Sequence, residues 1–144
     1  MAQDAIALLE ADHQRVETLF RNFQSADPQA KFDLGQVICM ELTLHAMLEE
    51  ELFYPAFAQA TGDQELLQHA LEDHQEVKEL IARVPQGGDL DKLVTEIVQN
   101  TLEHVEEERT EIFPKAKSSG MDLVALGQQM EARRAEVAAA VQEA

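Results

Sequence analysis

The chain has 144 residues, which suits a single domain with a buried core, and hydrophobic residues make up 45% of it, which excludes wholesale disorder. The formal net charge of −17 argues against nucleic acid and anionic membranes as partners, and this surplus of carboxylates suits a bound cation. The N-terminal stretch has no basic region and Cys39 is the only cysteine, so we expect no secretory signal, no internal disulfide and a cytoplasmic protein. We expect Cys39 to be a small buried residue rather than a reactive thiol.

Five segments of the chain show apolar residues at helical spacing, and short Gly, Pro or Ser-rich breaks separate them. The predicted helices cover residues 4–23, 28–57, 63–84, 89–117 and 121–144. Asp27, Asp63 and Asp89 stand where an N-cap is needed, and Pro28 suits a first helical position.

This order of elements predicts an all-α protein. Four helices of about 20 to 30 residues with short joints favour an antiparallel up-down-up-down four-helix bundle, with an additional C-terminal helix. We predict that residues 1–117 form the bundle and that residues 118–144 form a C-terminal helical extension. The extension could pack on the bundle, mediate a dimer or fray, and we expect a monomer or a weak homodimer.

Two pairs of similar stretches indicate a duplicated helical hairpin. HAMLEEELFYP at residues 45–55 matches HVEEERTEIFP at residues 104–114, and EADHQRVETLF at residues 10–20 matches LEDHQEVKELI at residues 71–81. Two hairpins facing each other would give the bundle an approximate twofold axis. Each hairpin would then bring two His and one Glu to the centre.

The repeated His and Glu residues lie on the apolar faces of the predicted helices. They are His13, His45, Glu49, His74, His104 and Glu108. Positions four apart on a helix differ by only about 40° in direction, so each Glu shares the face of the His before it. A lone His on such a face is usually a hydrogen-bonded core residue, and a lone His-x-x-x-Glu is a common surface pair. Six such residues on four helices instead need a common partner, and a pair of metal ions is the simplest one. Imidazole and carboxylate ligands suit iron, and they also accept manganese, zinc or copper.

The order His…His-x-x-x-Glu…His…His-x-x-x-Glu, with Phe-Tyr-Pro and Phe-Pro endings, resembles the hemerythrin-like, or HHE cation-binding, family over about residues 4–117. The resemblance implies a soluble four-helix bundle that holds two iron ions as an oxo- or hydroxo-bridged, non-haem di-iron centre. It implies that His13 and His45 bind one iron, that His74 and His104 bind the other, and that Glu49 and Glu108 bridge them.

The chain departs from the oxygen-carrying members of this family at one position. Those proteins have a second His one turn before the ligand of the third helix, where this chain has Ala70. His69 is five residues before His74, about 140° away on a straight helix, and reads as a surface residue. The candidates for an additional ligand, or for a group that orients a ligand, are Tyr54, Glu41, Glu111 and His69.

Each of these candidates has an argument for or against it. Glu41 and Glu111 face the inward stripe by helical phase, and Tyr54 faces away from His45 on a straight helix unless Pro55 bends the helix. Glu50 and Glu107 are expected to point off the face. A missing fifth His leaves a coordination position open, and an open position favours reactivity over reversible oxygen carriage.

The sequence therefore predicts a di-iron protein that binds and reacts with hydrogen peroxide, nitric oxide or oxygen, in a catalase-like or scavenging role during oxidative stress. Whether it turns over as an enzyme stays open, and no catalytic group beyond the metal ligands is expected. The alternatives are an oxygen- or iron-sensing module without turnover and a plain helical interaction protein. We expect small molecules as partners, and neither nucleic acid nor membrane.

Overall fold

The computed structural model describes residues 4–143, and residues 1–3 and Ala144, the predicted end of the last helix, lie outside the described residues. Residues 4–143 contain seven α-helices: α1 (Ala5–Ser25), α2 (Pro28–Leu48), α3 (Tyr54–Thr61), α4 (Gln64–Arg83), α5 (Leu90–Glu107), α6 (Phe113–Ser118) and α7 (Leu123–Glu143). A first π segment, Glu49–Phe53, joins α2 to α3, and a second π segment, Glu108–Ile112, joins α5 to α6. A short 3-10 helix, Val84–Gln86, follows directly after α4.

Aspartate occupies the N-cap position of α1, α2, α4 and α5, where its side chain can accept a hydrogen bond from a free backbone amide. The side chain of Asp27 accepts from the Ala30 amide at 2.9 Å, and Asp63 and Asp89 cap α4 and α5 in the same way at 3.0 and 3.1 Å. Asp4 caps α1 at 2.8 Å. Pro28 occupies the first helical position of α2, where its missing N–H costs nothing.

Four rods form the bundle. The first rod is α1 and the third is α4. The second rod runs without a break through α2, the first π segment and α3, and the fourth runs in the same way through α5, the second π segment and α6. α1 packs on α2, α4 packs on α5, and contacts of α1 with α5 and of α2 with α4 close the ring. The short joints make successive rods antiparallel. The predicted all-α bundle with an extra C-terminal helix is confirmed.

Two apolar clusters fill the bundle, one towards each end. The first cluster includes Leu9, Leu48, Phe53, Ile112 and Met130 among its members. The second cluster comprises Val16, Phe23, Ile38, Leu42, Leu80, Val94, Ile97 and Val98. Along each rod the His and Glu residues stand between these two groups, so a polar layer separates the two halves of the core.

The C-terminal helix packs on the bundle. α7 contacts α1, α2 and the first π segment, and its Leu126 and Met130 side chains are buried in the first cluster. Cys39, expected to be buried, is half-buried at the edge of the second cluster because it lines the groove between α2 and α7. Among the described helices, none combines the length and the apolar character needed to cross a membrane.

Candidate metal centre

Six polar side chains from four rods converge in the middle of the bundle. His13, His45, His74 and His104 are 3–7% exposed, and Glu49 and Glu108 are completely buried. Their ligand atoms fall into two groups, each within 4.8 Å: His13, His45 and Glu108 in one, and Glu49, His74 and His104 in the other. The structure therefore brings together all six residues that the repeat picks out.

Each Glu lies between His residues from both hairpins. Glu49 Oε1 lies 3.1 Å from the Nε2 atoms of both His45 and His74. The Glu108 oxygens lie 3.4 Å from His13 Nε2 and 3.7 Å from His104 Nε2. A carboxylate in this position can give one oxygen to each of two ions, which is the arrangement of a bridging ligand.

Every His in the cluster is held by a carboxylate on its other ring nitrogen. In the first hairpin, Nδ1 of His13 donates to Glu10 and Nδ1 of His45 donates to Asp12, both at 2.9 Å. In the second, Nδ1 of His74 donates to Glu50 at 2.9 Å and Nδ1 of His104 donates to Asp73 at 3.1 Å. Because the Nδ1 atoms bond to these outer carboxylates, the Nε2 atoms point inward. Carboxylates that fix the tautomer and the ring direction in this way are typical of metal-binding His residues.

The sequence analysis missed these four carboxylates. Glu50 was expected to point off the face, but its Oε2 accepts from His74 and its Oε1 from Lys78 at 2.8 Å. For two of the others a signal was present, because Asp12 and Asp73 stand immediately before a cluster His in the repeated Asp-His-Gln. They do not serve that neighbouring His. Each holds the His of the next helix, so the partner could not be read from spacing along the chain.

The donor set fits a pair of cations. Within the described part of the chain, both Glu49 oxygens and Glu108 Oε1 are buried without a hydrogen-bond partner. His13 Nε2 and His45 Nε2 face each other at 3.3 Å. Donor atoms held about 2 Å from one ion at right angles lie about 3 Å apart, so these separations suit a shared ion. Buried oxygens left unpaired are costly unless a positive charge lies between them.

The electrostatics of the cluster show the same need for positive charge. Burial and the nearby Glu49 carboxylate raise the pKa of Glu108 well above its usual range. Burial disfavours a charged His45, but Glu49 and Asp12 outweigh it and raise the pKa of His45 to about 10. Burial and His45 together lower the pKa of His13 to about 4. Protons therefore balance the carboxylates of the metal-free cluster, and metal ions would displace those protons on binding.

The two π segments begin at the two central Glu residues and change which side chains point inward. The Tyr54 N–H donates to the Glu49 carbonyl and the Phe113 N–H to the Glu108 carbonyl, five residues back in each case. Pro55 and Pro114 follow directly, and a proline ring clashes with the carbonyl four residues before it in an α-helix. A wider turn relieves this clash, and such turns are frequent at functional sites.

The extra residue in the first π segment turns Tyr54 into the cluster. On a straight helix Tyr54 would lie about 140° from Glu49, whereas one added residue reduces this angle to about 40°. Its hydroxyl donates to Glu108 Oε2 at 3.2 Å and lies 3.3 Å from His74 Nε2 and 3.1 Å from His104 Nε2. The expectation that a bend at Pro55 could bring Tyr54 inward agrees with this geometry.

The two halves of the centre differ at this position. Phe113 takes the place of Tyr54 in the second hairpin and stacks on His13, with ring centroids 6.3 Å apart. Ala70, where a fifth His would stand, is 1% exposed and belongs to the same apolar cluster as Tyr54. The His74 and His104 side of the centre therefore has a phenol in place of a third imidazole.

We expect a Tyr54→Phe variant to keep its fold and both ions but to lose its visible charge-transfer absorption when loaded with ferric iron. The substitution keeps the ring and removes only the hydroxyl, so the apparent stability should change by less than about 1.5 kcal/mol. Absorption spectra of the two loaded proteins, with thermal melts of both, check this. Identical visible spectra would show that the hydroxyl is not a ligand.

The remaining candidates lie outside the cluster. Glu41 is half-buried and accepts from Arg15 at 3.0 Å, and Glu111 is exposed, so the expected inward orientation of these two residues does not occur. Glu111 lies inside the second π segment, where the straight-helix phase no longer applies. His69 is exposed, as expected, with its Nδ1 atom 2.8 Å from Glu107.

A narrow cavity of about 30 Å³ opens onto the centre. Its lining includes the cluster residues His45, His74 and His104 and the aliphatic side chains of Leu42, Val77, Ile81 and Val105. A cavity needs about 10–15 Å³ to hold one water molecule, so this one has room for a diatomic molecule or a peroxide. Sequence reasoning did not identify this cavity.

The chain is similar to known proteins over most of its length. A family model described as hemerythrin HHE cation binding domain matches residues 4–116. A protein from Nostoc sp. named DNA nickase is 28% identical over an alignment of 122 residues. The alignment covers 81% of this chain and 34% of that protein, so the chain spans about a third of this relative. The crystal structure of a hemerythrin HHE cation binding domain-containing protein from Mycobacterium kansasii matches with a TM-score of 0.76 and 23% identity. The match covers 93% of this chain and 86% of that chain and shows a shared fold.

Proposed function

We propose, since the chain belongs to the hemerythrin HHE cation-binding domain family, that it holds two iron ions and consumes hydrogen peroxide in a catalase-like reaction. The observation that carries this proposal is the small, mostly apolar cavity that three of the cluster imidazoles help to line. Two adjacent irons would supply the electron transfer that converts two molecules of hydrogen peroxide into two of water and one of oxygen. The protein's part is to hold the ions, admit the small molecule and exclude larger ones.

The residues divide naturally between two ions. His13 and His45 would hold one ion, His74 and His104 the other, and the two central Glu residues would bridge them. Two imidazoles and two shared carboxylates for each ion are ligands that iron accepts. The four outer carboxylates would keep the rings in place, so the centre needs little rearrangement to bind its ions.

The second ion would have an unusual neighbour. Ala70 contributes no ligand atom, and the Tyr54 hydroxyl lies beside the Nε2 atoms of His74 and His104. A phenol in this place supports reactivity rather than reversible oxygen carriage, because the oxygen carriers have a further imidazole where this chain has Ala70. The hydroxyl also donates to Glu108, so Tyr54 can hold a proton within the cluster.

The cavity supports a small oxidant as the substrate. Its lining is mostly aliphatic, and the polar groups besides the imidazoles belong to Thr43, Asp73, Lys78 and Thr101. Asp73 accepts from His104, and the Thr43 hydroxyl donates to the Cys39 carbonyl at 2.8 Å. The Thr101 hydroxyl donates to the Ile97 carbonyl at 2.8 Å, and Lys78 pairs with Glu50. With these groups engaged, little in the cavity would hold a charged or extended molecule. Nitric oxide and oxygen have a similar size, and they are the other substrates to compare.

The nickase name of the relative from Nostoc sp. does not enter this proposal. The matched region is only 34% of that protein, and the present chain has a formal net charge of −17. A DNA backbone would be repelled by such a surface.

Oxygen evolution from peroxide tests the proposal. Protein loaded anaerobically with iron and then freed of excess metal should release one oxygen molecule for every two molecules of hydrogen peroxide consumed, as measured with an oxygen electrode. A His74→Ala variant should lose about 100-fold or more of this activity, because it removes a ligand. A His69→Ala variant is the matched control, since His69 is exposed and outside the cluster, and it should react like the parent.

Iron-loaded protein that consumes no peroxide would overturn the catalase-like reaction. In that case, nitric oxide or oxygen consumption by the same sample would identify the substrate instead. An equal loss of oxygen evolution in the His69 and His74 variants would contradict the role given to the cluster.

A further inference from the structure

The two hairpins treat equivalent aspartates differently. Asp12 and Asp73 both precede a cluster His, and each accepts from the Nδ1 of a His on the next rod, at 2.9 Å for His45 and 3.1 Å for His104. The Asp12 side chain is 5% exposed, whereas the Asp73 side chain is 25% exposed. A buried carboxylate requires a strong partner, so the surroundings of Asp12 need an explanation.

The partner of Asp12 comes from the C-terminal helix. Arg134 of α7 donates from Nη1 to Asp12 Oδ1 at 2.8 Å and from Nη2 to Asp12 Oδ2 at 2.6 Å. A bidentate pair of this kind fixes the direction of the carboxylate as well as its charge. Asp73 lies near only an exposed imidazole in this position: the His69 Nδ1 atom is 3.6 Å from Asp73 Oδ2, beyond hydrogen-bond distance, and 2.8 Å from Glu107. Only the first hairpin therefore receives a guanidinium from α7 at this place, among the described residues.

A second cation at Asp12 is weaker. Arg15 donates to Asp12 Oδ1 at 3.1 Å, but its side chain is 45% exposed, and it is shared with Glu41. Exposed ion pairs contribute little because water and salt screen them. Arg134 is 27% exposed and holds both oxygens, including the Oδ2 atom that accepts from His45. The direction of the His45 ring therefore depends mainly on Arg134.

The position of α7 makes this contact stable. Leu126 and Met130 anchor the helix in the first apolar cluster, one to two turns before Arg134. The helix lies beyond residues 4–116, the part of the chain that the family model matches. The contact to Asp12 is thus made by a segment outside the region that the family model matches.

We propose that Arg134 is a positioning residue of the metal centre and that α7 is thereby part of that centre. Arg134 holds Asp12, Asp12 holds His45, and this series of bonds sets how firmly the His13 and His45 side retains its ion. The inference rests on the proposed function, because it assumes that the cluster binds two ions. Among the described residues, no α7 side chain is hydrogen-bonded to Glu50 or Asp73, which hold His74 and His104, so that side should be unaffected.

Arg134→Met compared with Arg133→Met tests the inference. The two residues are neighbours on α7, but Arg133 pairs with Glu51 and Glu136 at the surface and does not contact the centre. Each protein is loaded anaerobically with ferrous iron, and the release of each ion to a chromogenic chelator is followed. In the Arg134 variant one of the two ions should leave about tenfold faster than in the parent, and the other at the parent rate. The Arg133 variant should release both at the parent rate.

Release of both ions at the parent rate from the Arg134 variant would overturn the inference. An equal acceleration of both ions would overturn it as well, because it would indicate general loosening of the bundle. If Arg134→Met does not fold, Arg134→Lys keeps the charge and loses the two-point contact. The lysine variant should release one ion faster in the same way.

The metal-free protein offers a readout that does not depend on the proposed function. The His45 Nδ1 proton is buried and hydrogen-bonded to Asp12, so it should exchange slowly with water and give a proton NMR signal in nitrogen-15-labelled protein. The signal is assigned by its absence in His45→Gln. This signal should broaden or disappear in the Arg134 variants and persist in Arg133→Met. A parent protein that binds no iron would refute the proposed function, whereas an unchanged His45 signal would refute the role of Arg134.

Discussion

A Glu108→Gln variant is expected to lose the metal pair and, at the same time, to be more stable than the parent when both are free of metal. Glu108 and Glu49 are completely buried, and three of their four oxygens have no hydrogen-bond partner among the described residues. The metal-free pair must keep a proton on folding at neutral pH, which a Gln side chain does not need, so we expect a gain of about 1–3 kcal/mol. The same change removes a bridging ligand, so iron affinity should fall by about 100-fold or more.

The stability gain should depend on pH. Because the folded-state pKa of Glu108 is raised, its contribution to stability is fully present below the ordinary carboxyl pKa and is lost as pH rises towards the folded-state value. The Gln side chain does not titrate, so the advantage of the variant should be absent near pH 4 and grow towards neutral pH. Denaturant unfolding of the metal-free proteins at several pH values measures this difference.

Glu111→Gln is the matched control. It makes the same chemical change in the same π segment, but Glu111 is exposed and outside the cluster. We expect it to alter neither iron binding nor stability by more than about 0.5 kcal/mol. A Glu108 variant that bound iron like this control, or that was destabilised without metal, would show that Glu108 is a structural residue and not a ligand.

Iron is expected to raise the melting temperature of the parent protein by at least about 10 °C, and a chelator should reverse the effect. An ion present at about 1,000 times its dissociation constant stabilises a protein by about 4 kcal/mol, and two ions act together here. For a chain of this length, 1 kcal/mol corresponds to roughly 2–4 °C. Metal-free, loaded and chelated samples compared in one calorimetric experiment measure the shift.

Magnesium provides the control for this effect. It is a hard cation that prefers oxygen ligands and keeps its water, so a cluster with four imidazoles should not bind it. Magnesium at the same concentration should therefore leave the melting temperature unchanged. A similar small shift with both metals would mean that charge screening, and not a specific site, is responsible.

The sequence was sufficient for the parts of the structure that follow a regular helix. The Asp caps, the apolar stripes and the six central residues all depend on local propensity or on a 3.6-residue period, and the duplication supplied an internal check on them. His45 and His104 precede the π segments, Glu49 and Glu108 begin them, and His13 and His74 lie within α1 and α4, so straight-helix phase applies to all six.

The sequence was insufficient where the helix period changes or where distant elements meet. Beyond Glu49 and Glu108 the phase shifts by one residue, which turns Tyr54 inward and leaves Glu111 outside. The bonds from Asp12 to His45 and to Arg134 join residues 33 and 122 positions apart, so they depend on how the rods pack. Such contacts leave no periodic signal in the chain.

The central claim is that six side chains from four rods hold two iron ions in one cluster. Anaerobic titration of the metal-free protein with ferrous iron, with the bound metal measured after the excess is removed, tests it most directly. We predict saturation at two irons per chain in the parent and in His69→Ala, and a loss of bound iron in His45→Ala. Saturation at no iron or at one, or a His45 variant that still binds two, would contradict the account.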